Sequence, residues 1–306
     1  MSRPNPFDGA RCIVTGASMG LGRAMAVALA RRGARVVMAA RSADRLDDVA
    51  RALEADGARP DQAIPVAVDL TVADDRRRLL DAAAQAFDGG LDLLVNNAGI
   101  GAYGRFETHD ESVVRRLFEL NVYAPIELCR GALPMLRRGN RPAVVNVGSI
   151  VARRGLPGRS EYSASKHALA GFTEALRAEW YRDGIHVLLV NPGFTATEFE
   201  RNLAANTALV STQNTRWMDP ADVAEATLRA VARRRNELTL TARGRLLLAV
   251  NRVAPRFVDL CFGRWAARLY ARADAGSPSV HESDPDEPAR PSAGALWNSS
   301  SETSLP

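Results

Sequence analysis

The sequence predicts an α/β fold, a doubly wound parallel sheet with helices on both faces. Two observations carry that expectation. Short runs rich in valine, isoleucine and leucine recur along the chain, and stretches with helical spacing separate them. Strands that are apolar along most of their length are buried on both faces, which is the situation of a parallel sheet covered by helices. Right-handed crossovers then wind the chain outward in both directions.

The elements follow in order. "RCIVT" at 11–15 reads as a short buried strand, and residues 20–32 carry helical spacing that stops at Gly33. "RVVMAA" (35–40) is a second strand, followed by an amphipathic segment near 43–56. "AIPVAV" (63–68), "LDLLV" (91–95), "PAVVNV" (142–147) and "IHVLLV" (185–190) repeat the strand pattern. Helical stretches near 72–87, 111–136 and 162–183 lie between them. Residues 220–235 form a further helix before a last strand, "ELTLT" (237–241). Residues 244–273 differ. Leu246, Val250, Val253, Phe257, Cys261 and Leu269 make an apolar stripe at helical spacing, beside Arg252, Arg256, Arg264, Arg268 and Arg272. Pro255 divides this stretch into two predicted helices. Residues 274–306 are rich in Ser, Pro, Asp and Glu, bury too little apolar surface to repay ordering, and read as a disordered tail.

Composition sets the bounds. The 306 residues are 46% hydrophobic and 25% charged, as in an ordinary globular chain. The first residues hold no apolar h-region, and no run of 18 apolar residues occurs, so neither a secretory signal nor a spanning helix is expected. Cys12, Cys129 and Cys261 are odd in number and far apart, which argues against a disulfide framework or zinc site and fits a reducing cytoplasm. Four scattered histidines leave no metal site in view. His109, His167 and His186 are left unassigned, since a lone histidine is more often structural. The net charge of +5 hides an asymmetry: 274–306 hold six acids and one base, and the rest carries 39 bases against 29 acids. No nucleic-acid motif accompanies this charge, so it reads as arginine on solvated faces.

The first strand runs into "TGASMGLG" (15–22). Gly16 permits a tight turn, Gly20 lets backbone approach a pyrophosphate, and Gly22 lets the following helix pack close to the strand. The helix N-terminus offers free N–H groups to the anion. Further on come "NNAG" (96–99), Ser149, "YSASK" (162–166) and "NPGFTAT" (191–197). In this order and spacing, the set resembles the short-chain dehydrogenase/reductase family. The resemblance spans residues 11–197 in motifs and covers the body to about 242. It implies a Rossmann-type NAD(P)-binding catalytic domain over 1–242, and does not cover the basic-apolar helical extension over 243–273 or the tail beyond.

The cofactor reading turns on the end of the second strand. NAD-selective members place an acid there for the ribose hydroxyls; this chain has Ala40, followed by Arg41 and Ser42. An arginine forks two donors onto a 2′-phosphate that an acid would repel. NADP(H) is therefore favoured over NAD(H), against the rival reading of Arg41 as a solvated surface charge. Met19 stands where some NADP-using relatives carry a basic residue. The resemblance places Asp69 at the adenine, Asn97, Ala98 and Gly99 along the adenosine ribose, and Leu21 with Ser18 in the phosphate turn. It places Pro192, Gly193, Thr195 and Thr197 at the nicotinamide. Thr15 is read as a local support of the turn, and Asn96 as a brace between strands.

Interconverting an alcohol and a ketone moves one proton with each hydride, and the protein must supply the acid/base. Tyr162 and Lys166 are four residues apart and share a helix face. A nearby ammonium favours the phenolate, which otherwise forms only near pH ~10. The resemblance gives Ser149 the substrate oxygen and Asn121, in "ELNVYA", a water that relays protons from the lysine. Lys166 is also the chain's single lysine; the other 39 basic residues are arginine.

A hydrophobic ketone, aldehyde or alcohol is the expected small-molecule partner, held by 150–161 and a lid over 194–218. Arg153, Arg154 and Arg159 there could recognise an anionic substrate, a reading set against solvated charge, which is favoured. A homodimer or homotetramer is expected. The 244–273 segment leaves three readings open: packing on the body to close the pocket, an oligomer contact, or peripheral contact with a membrane surface. Rival functions are a non-catalytic NADPH-binding regulator, an NAD-linked dehydrogenase, and an epimerase or dehydratase on the same fold.

Overall fold

The first strand, β1 (Arg11–Thr15), pairs on one side with β2 (Arg35–Ala40) and on the other with β4 (Leu93–Asn96). The structure is a computed structural model and describes residues 5–196, 199, 203–206 and 217–274. Its main sheet adds β3 (Ala63–Ala67), β6 (Ala143–Val147), β7 (His186–Asn191) and β9 (Glu237–Thr239). The spatial order is β3-β2-β1-β4-β6-β7-β9, with every pairing parallel. The chain departs from β1 in both directions, so the crevice between β1 and β4 is the switch point at which open α/β sheets bind ligands.

Alternation along the strands builds two cores. Cys12, Val14, Val36 and Met38 face one side of the sheet, against α1 (Gly20–Ala30), α2 (Ala43–Ala55) and α7 (Pro220–Ala232). Ile13, Val37 and Ala39 face the other. There they meet residues of α3 (Ala73–Ala86), α5 (Ala124–Leu136) and α6 (Ser160–Glu179). Each fully buried leucine or isoleucine in these layers contributes roughly 1.5–3 kcal/mol. This two-faced burial is why the strands read as continuous apolar runs.

Local departures from the sequence expectation have physical causes. The "LDLLV" strand starts late because Leu91 N–H donates to Met135 O before the ladder begins. The helix expected over 111–136 is two helices, α4 (Glu111–Phe118) and α5, joined by a π-helical turn, Glu119–Tyr123. A small second sheet pairs β5 (Ala102–Tyr103) with β8 (Ala205–Asn206) in parallel.

The C-terminal segment forms α8 (Ala242–Val253) and α9 (Pro255–Asp274), divided at Pro255 as expected. Which face packs is a correction. Leu246, Val253 and Phe257, members of the apolar stripe, are exposed at 66%, 86% and 60%. The inward face instead carries Gly244 and Val258. Arg154 pairs with Asp259 at 2.6 Å and stacks on Phe262, and Arg105 donates to Tyr270 O and stacks on its ring. The helix is apolar on more than one side, and arginines of the body select the side that docks. Among the described residues, no helix is long and apolar enough to cross a membrane.

Candidate active site

A cleft of about 1900 Å³ lies over the carboxyl ends of the strands. At its floor is the glycine turn. Gly16 and Gly20 both adopt left-handed φ, +66° and +52°, which a residue with a Cβ resists. A Cβ at Gly16 would stand 2.8 Å from Asn97 Nδ2, and one at Gly22 would be driven into Gly16 O. Helix α1 therefore packs on the strand end as closely as backbone permits. Ser18, Met19, Gly20 and Leu21 line the cleft above it.

The loop after β4 is pinned to this turn. Thr15 Oγ1 donates to Val95 O and accepts from Asn97 and Ala98 N–H at 2.9 and 3.0 Å, and Asn97 Nδ2 donates to Thr15 O. The threonine thus binds two loops together, where a role within its own turn was expected. Asn97 contributes a side chain as well as backbone, and Ala98 and Gly99 line the cleft beside it. Asn96 braces the strands as read, donating to Asn146 Oδ1 at 2.8 Å.

At one end of the cleft stand Ala40, Arg41, Ser42 and Asp69. Burial works against the Asp69 charge, but Thr71 donates to it from backbone and hydroxyl, Arg41 lies close by, and the carboxyl is held low. Arg45 lines the same end and was missed. It sits in the first turn of α2, one turn after Arg41, a spacing that brings it back over the strand end.

At the other end, Ser149, Tyr162 and Lys166 open on the cleft together. Ser149 is the N-cap of a short turn after β6. Tyr162 is 6% exposed and Lys166 4%. Lys166 Nζ donates to Val147 O at 2.9 Å and lies 5.9 Å from the Tyr162 ring centre. Burial pushes the lysine down to about 8. Burial also raises Tyr162 above its ordinary value and Tyr103 adds to the rise, while the Ser149 hydroxyl and the Arg159 charge oppose it. Lys166 was read as the group that lowers the tyrosine; among the protein's own groups, Ser149 and Arg159 pull in that direction.

Asn121 lies in the π-helical turn, fully buried. Its Nδ2 donates to Ile100 O and Ser165 Oγ, and its Oδ1 accepts from Ile100 N–H. The side chain thereby fixes the Gly99–Ile100 backbone beside Lys166. Pro192, Gly193 and Thr195 line the cleft, and Thr195 Oγ1 donates to Gly193 O at 3.3 Å. Thr197 lies outside the described residues. Phe199 stacks on Tyr162 at 5.9 Å between ring centres, and Phe194 meets Trp217 edge-on at 5.7 Å. Gly244 and Leu247 of α8 complete the wall.

Residues 10–208 match the family described as short chain dehydrogenase. The chain belongs to that family. Ketoacyl reductase HetN of Nostoc is 30% identical over 265 residues, 85% of this chain and 90% of the relative. Dehydrogenase/reductase SDR family member 7B of Bos taurus is 31% identical, over 74% and 72% of the two chains. A short-chain dehydrogenase/reductase from Burkholderia phymatum, solved in complex with NAD, superposes with a TM-score of 0.72 at 28% identity. That match covers 83% of this chain and 95% of the other. This short-chain dehydrogenase is thus an NAD(P)-dependent oxidoreductase.

The same site corrects one reading of charge. Arg153, Arg154 and Arg159 are not solvated. Arg153 joins Glu174 and Glu237, Arg154 is held by Asp259, and Arg159 is 7% exposed. Of the unassigned histidines, His109 contacts Glu161, His167 the Ser163 carbonyl and His186 the Arg235 carbonyl.

Proposed function

We propose that this protein is an NADP(H)-dependent reductase of a hydrophobic ketone or aldehyde, working also as the reverse alcohol dehydrogenase. One observation carries the reading: Ser149, Tyr162 and Lys166 open on the same cleft as the glycine turn. The residues fit a dinucleotide. Gly16, Gly20, Ala98 and Gly99 line the cradle, and a Cβ at Gly99 would stand 2.9 Å from Asn121 Oδ1, so that edge of the cradle packs too tightly for a side chain. The end of β2 carries Ala40 and Arg41 in place of an acid, which suits a 2′-phosphate.

When bound, the nicotinamide supplies or accepts the hydride. Tyr162 donates its hydroxyl proton to the carbonyl oxygen as that oxygen gains charge, and recovers it in reverse. Ser149 donates a hydrogen bond to the same oxygen and fixes its position. Burial keeps Tyr162 protonated, the form reduction needs. Lys166 holds positive charge beside it and reaches the ribose hydroxyls. Asn121 holds the backbone against which the lysine sits, next to the water relay that refills the tyrosine. Phe194, Phe199, Leu203 and Trp217 exclude water and receive the apolar part of the substrate.

The test is a screen of hydrophobic ketones and aldehydes, following NADPH absorbance. Turnover is expected with NADPH ahead of NADH, and Tyr162→Phe should abolish it while NADPH still binds. Retained turnover in that variant rejects the mechanism, and equal affinity for the two nucleotides rejects the Arg41 assignment.

A further inference from the structure

Arg159 is the N-cap residue of α6, one turn before Tyr162. Its backbone is fixed, because its carbonyl accepts from Ser163 N–H and Ser163 Oγ at 2.8 and 2.7 Å. Its guanidinium lies between two aromatic rings, 4.0 Å from the centre of Tyr103 and 4.9 Å from that of Phe194. The side chain borders the cleft, and only 7% of the residue is exposed.

A buried charge is ordinarily paired, because stacking on aromatic faces offsets only part of the lost hydration. The other two arginines of this loop follow that rule, Arg153 on Glu174 and Glu237, Arg154 on Asp259. Arg159 does not. Among the described residues no carboxylate lies within ion-pair distance of it. The acid nearest in sequence, Glu161, is turned toward His109 at 2.8 Å. A guanidinium that faces a ligand cleft, next to the reacting tyrosine and without an anion of its own, is completed by an anion on the ligand.

We propose that Arg159 selects a substrate carrying a carboxylate near its carbonyl, an oxo acid with an apolar body. This rests on the reductase reading above and names its substrate class. The carboxylate takes the forked donors of Arg159, the apolar part lies against Phe194 and Trp217, and the carbonyl meets Tyr162 and Ser149. The aromatic walls alone suit any hydrophobic ketone; the guanidinium separates the acids from their neutral analogues.

The experiment uses the full-length protein with NADPH and a matched pair, benzoylpropionate and its methyl ester. Wild type is expected to favour the acid in kcat/KM. In Arg159→Gln the acid-to-ester ratio falls by about 100-fold, as when a buried charge pair loses one partner. Arg159→Lys recovers part of it. The ester is an internal control for folding, since a variant that misfolds loses both substrates together. Equal losses on both, or a wild-type ratio near one, overturn the proposal. If neither compound is reduced, the reductase reading loses its support from these probes. The inference is then read from quenching of tryptophan fluorescence by benzoylpropionate in the presence of NADPH. Tighter binding to wild type than to Arg159→Gln upholds it, and equal affinities overturn it.

Discussion

Thirty-nine of the forty basic residues are arginine, and the single lysine is buried beside Tyr162. Its neighbourhood explains the exception. Nζ has one backbone acceptor, Val147 O, and a Cβ at Gly99 would already stand 3.5 Å from it. A planar guanidinium brings five donors into a space that satisfies few of them. Lys166→Arg should therefore lose about 100-fold or more in kcat/KM and bind NADPH more weakly, despite the kept charge. Wild-type turnover would make the lysine an ordinary helix residue. The burial that depresses Lys166 also gives a stability signature. Its folded value is about 8 and its ordinary value 10.5, so between those pH values the unfolded chain holds more protons. Stability contributed at this site then rises with pH through that window. Tyr162 acts oppositely above its ordinary value of 10, where the unfolded chain loses its proton first. Denaturant unfolding of wild type and Lys166→Met from pH 7 to 10 checks this. The variant should lack the rise, and parallel curves would count against a buried, depressed amine.

Two elements bear on the proposed nucleotide binding, one on selectivity and one on affinity. Strand β2 ends at Ala40, where, on the proposed NADP(H) reading, an acid would face the adenosine ribose. Ala40→Asp should move the nucleotide preference from NADPH toward NADH by tenfold or more, the reach of one misplaced charge. Titration of nucleotide fluorescence reads it, and an unchanged ratio would remove β2 from the selectivity argument. The strand–turn–helix unit beside it tolerates no side chain at Gly22. Gly22→Ala should cost about 1–3 kcal/mol and weaken both nucleotides alike, since the clash is with Gly16 O backbone. Undiminished thermal stability would show that α1 can back away. These elements were legible because their signals are local: apolar runs buried on both faces, and glycines where φ is positive. The rest was not. A two-residue strand such as β5 has no periodicity to read, and the π-helical turn around Asn121 keeps the helical pattern on both sides. Nor does sequence distinguish Arg159 from Arg153. Both are arginines in a loop, and only the packed structure shows that one has two carboxylates and the other two aromatic rings.

On the proposed reading, two binding tasks lie at opposite ends of one cleft, and the C-terminal helices touch only one of those ends. Gly244 and Leu247 of α8 wall the end near Thr195 and Met218, while Arg41, Ser42 and Asp69 follow β2 and β3, at the opposite edge of the sheet from β9, the strand before α8. Thr241 caps α8 through Gly244 N–H at 3.0 Å, so α8 leaves the body at that residue. Ending the chain after Thr241 removes the wall, the Arg154–Asp259 pair and the buried Val258, but leaves the sheet and the glycine turn. The truncated protein should bind NADPH within a few-fold of the full chain and show a KM for its carbonyl substrate raised by an order of magnitude or more. Losing α9 takes Asp259 and Phe262 from Arg154 and Tyr270 from Arg105, so the melting temperature should fall by several degrees as well. Nucleotide titration, steady-state kinetics and thermal unfolding on the same preparation separate these effects. A proportional loss of NADPH affinity and substrate affinity would mean that the helices hold the whole sheet together. An unchanged KM would mean that α8 only borders the cleft.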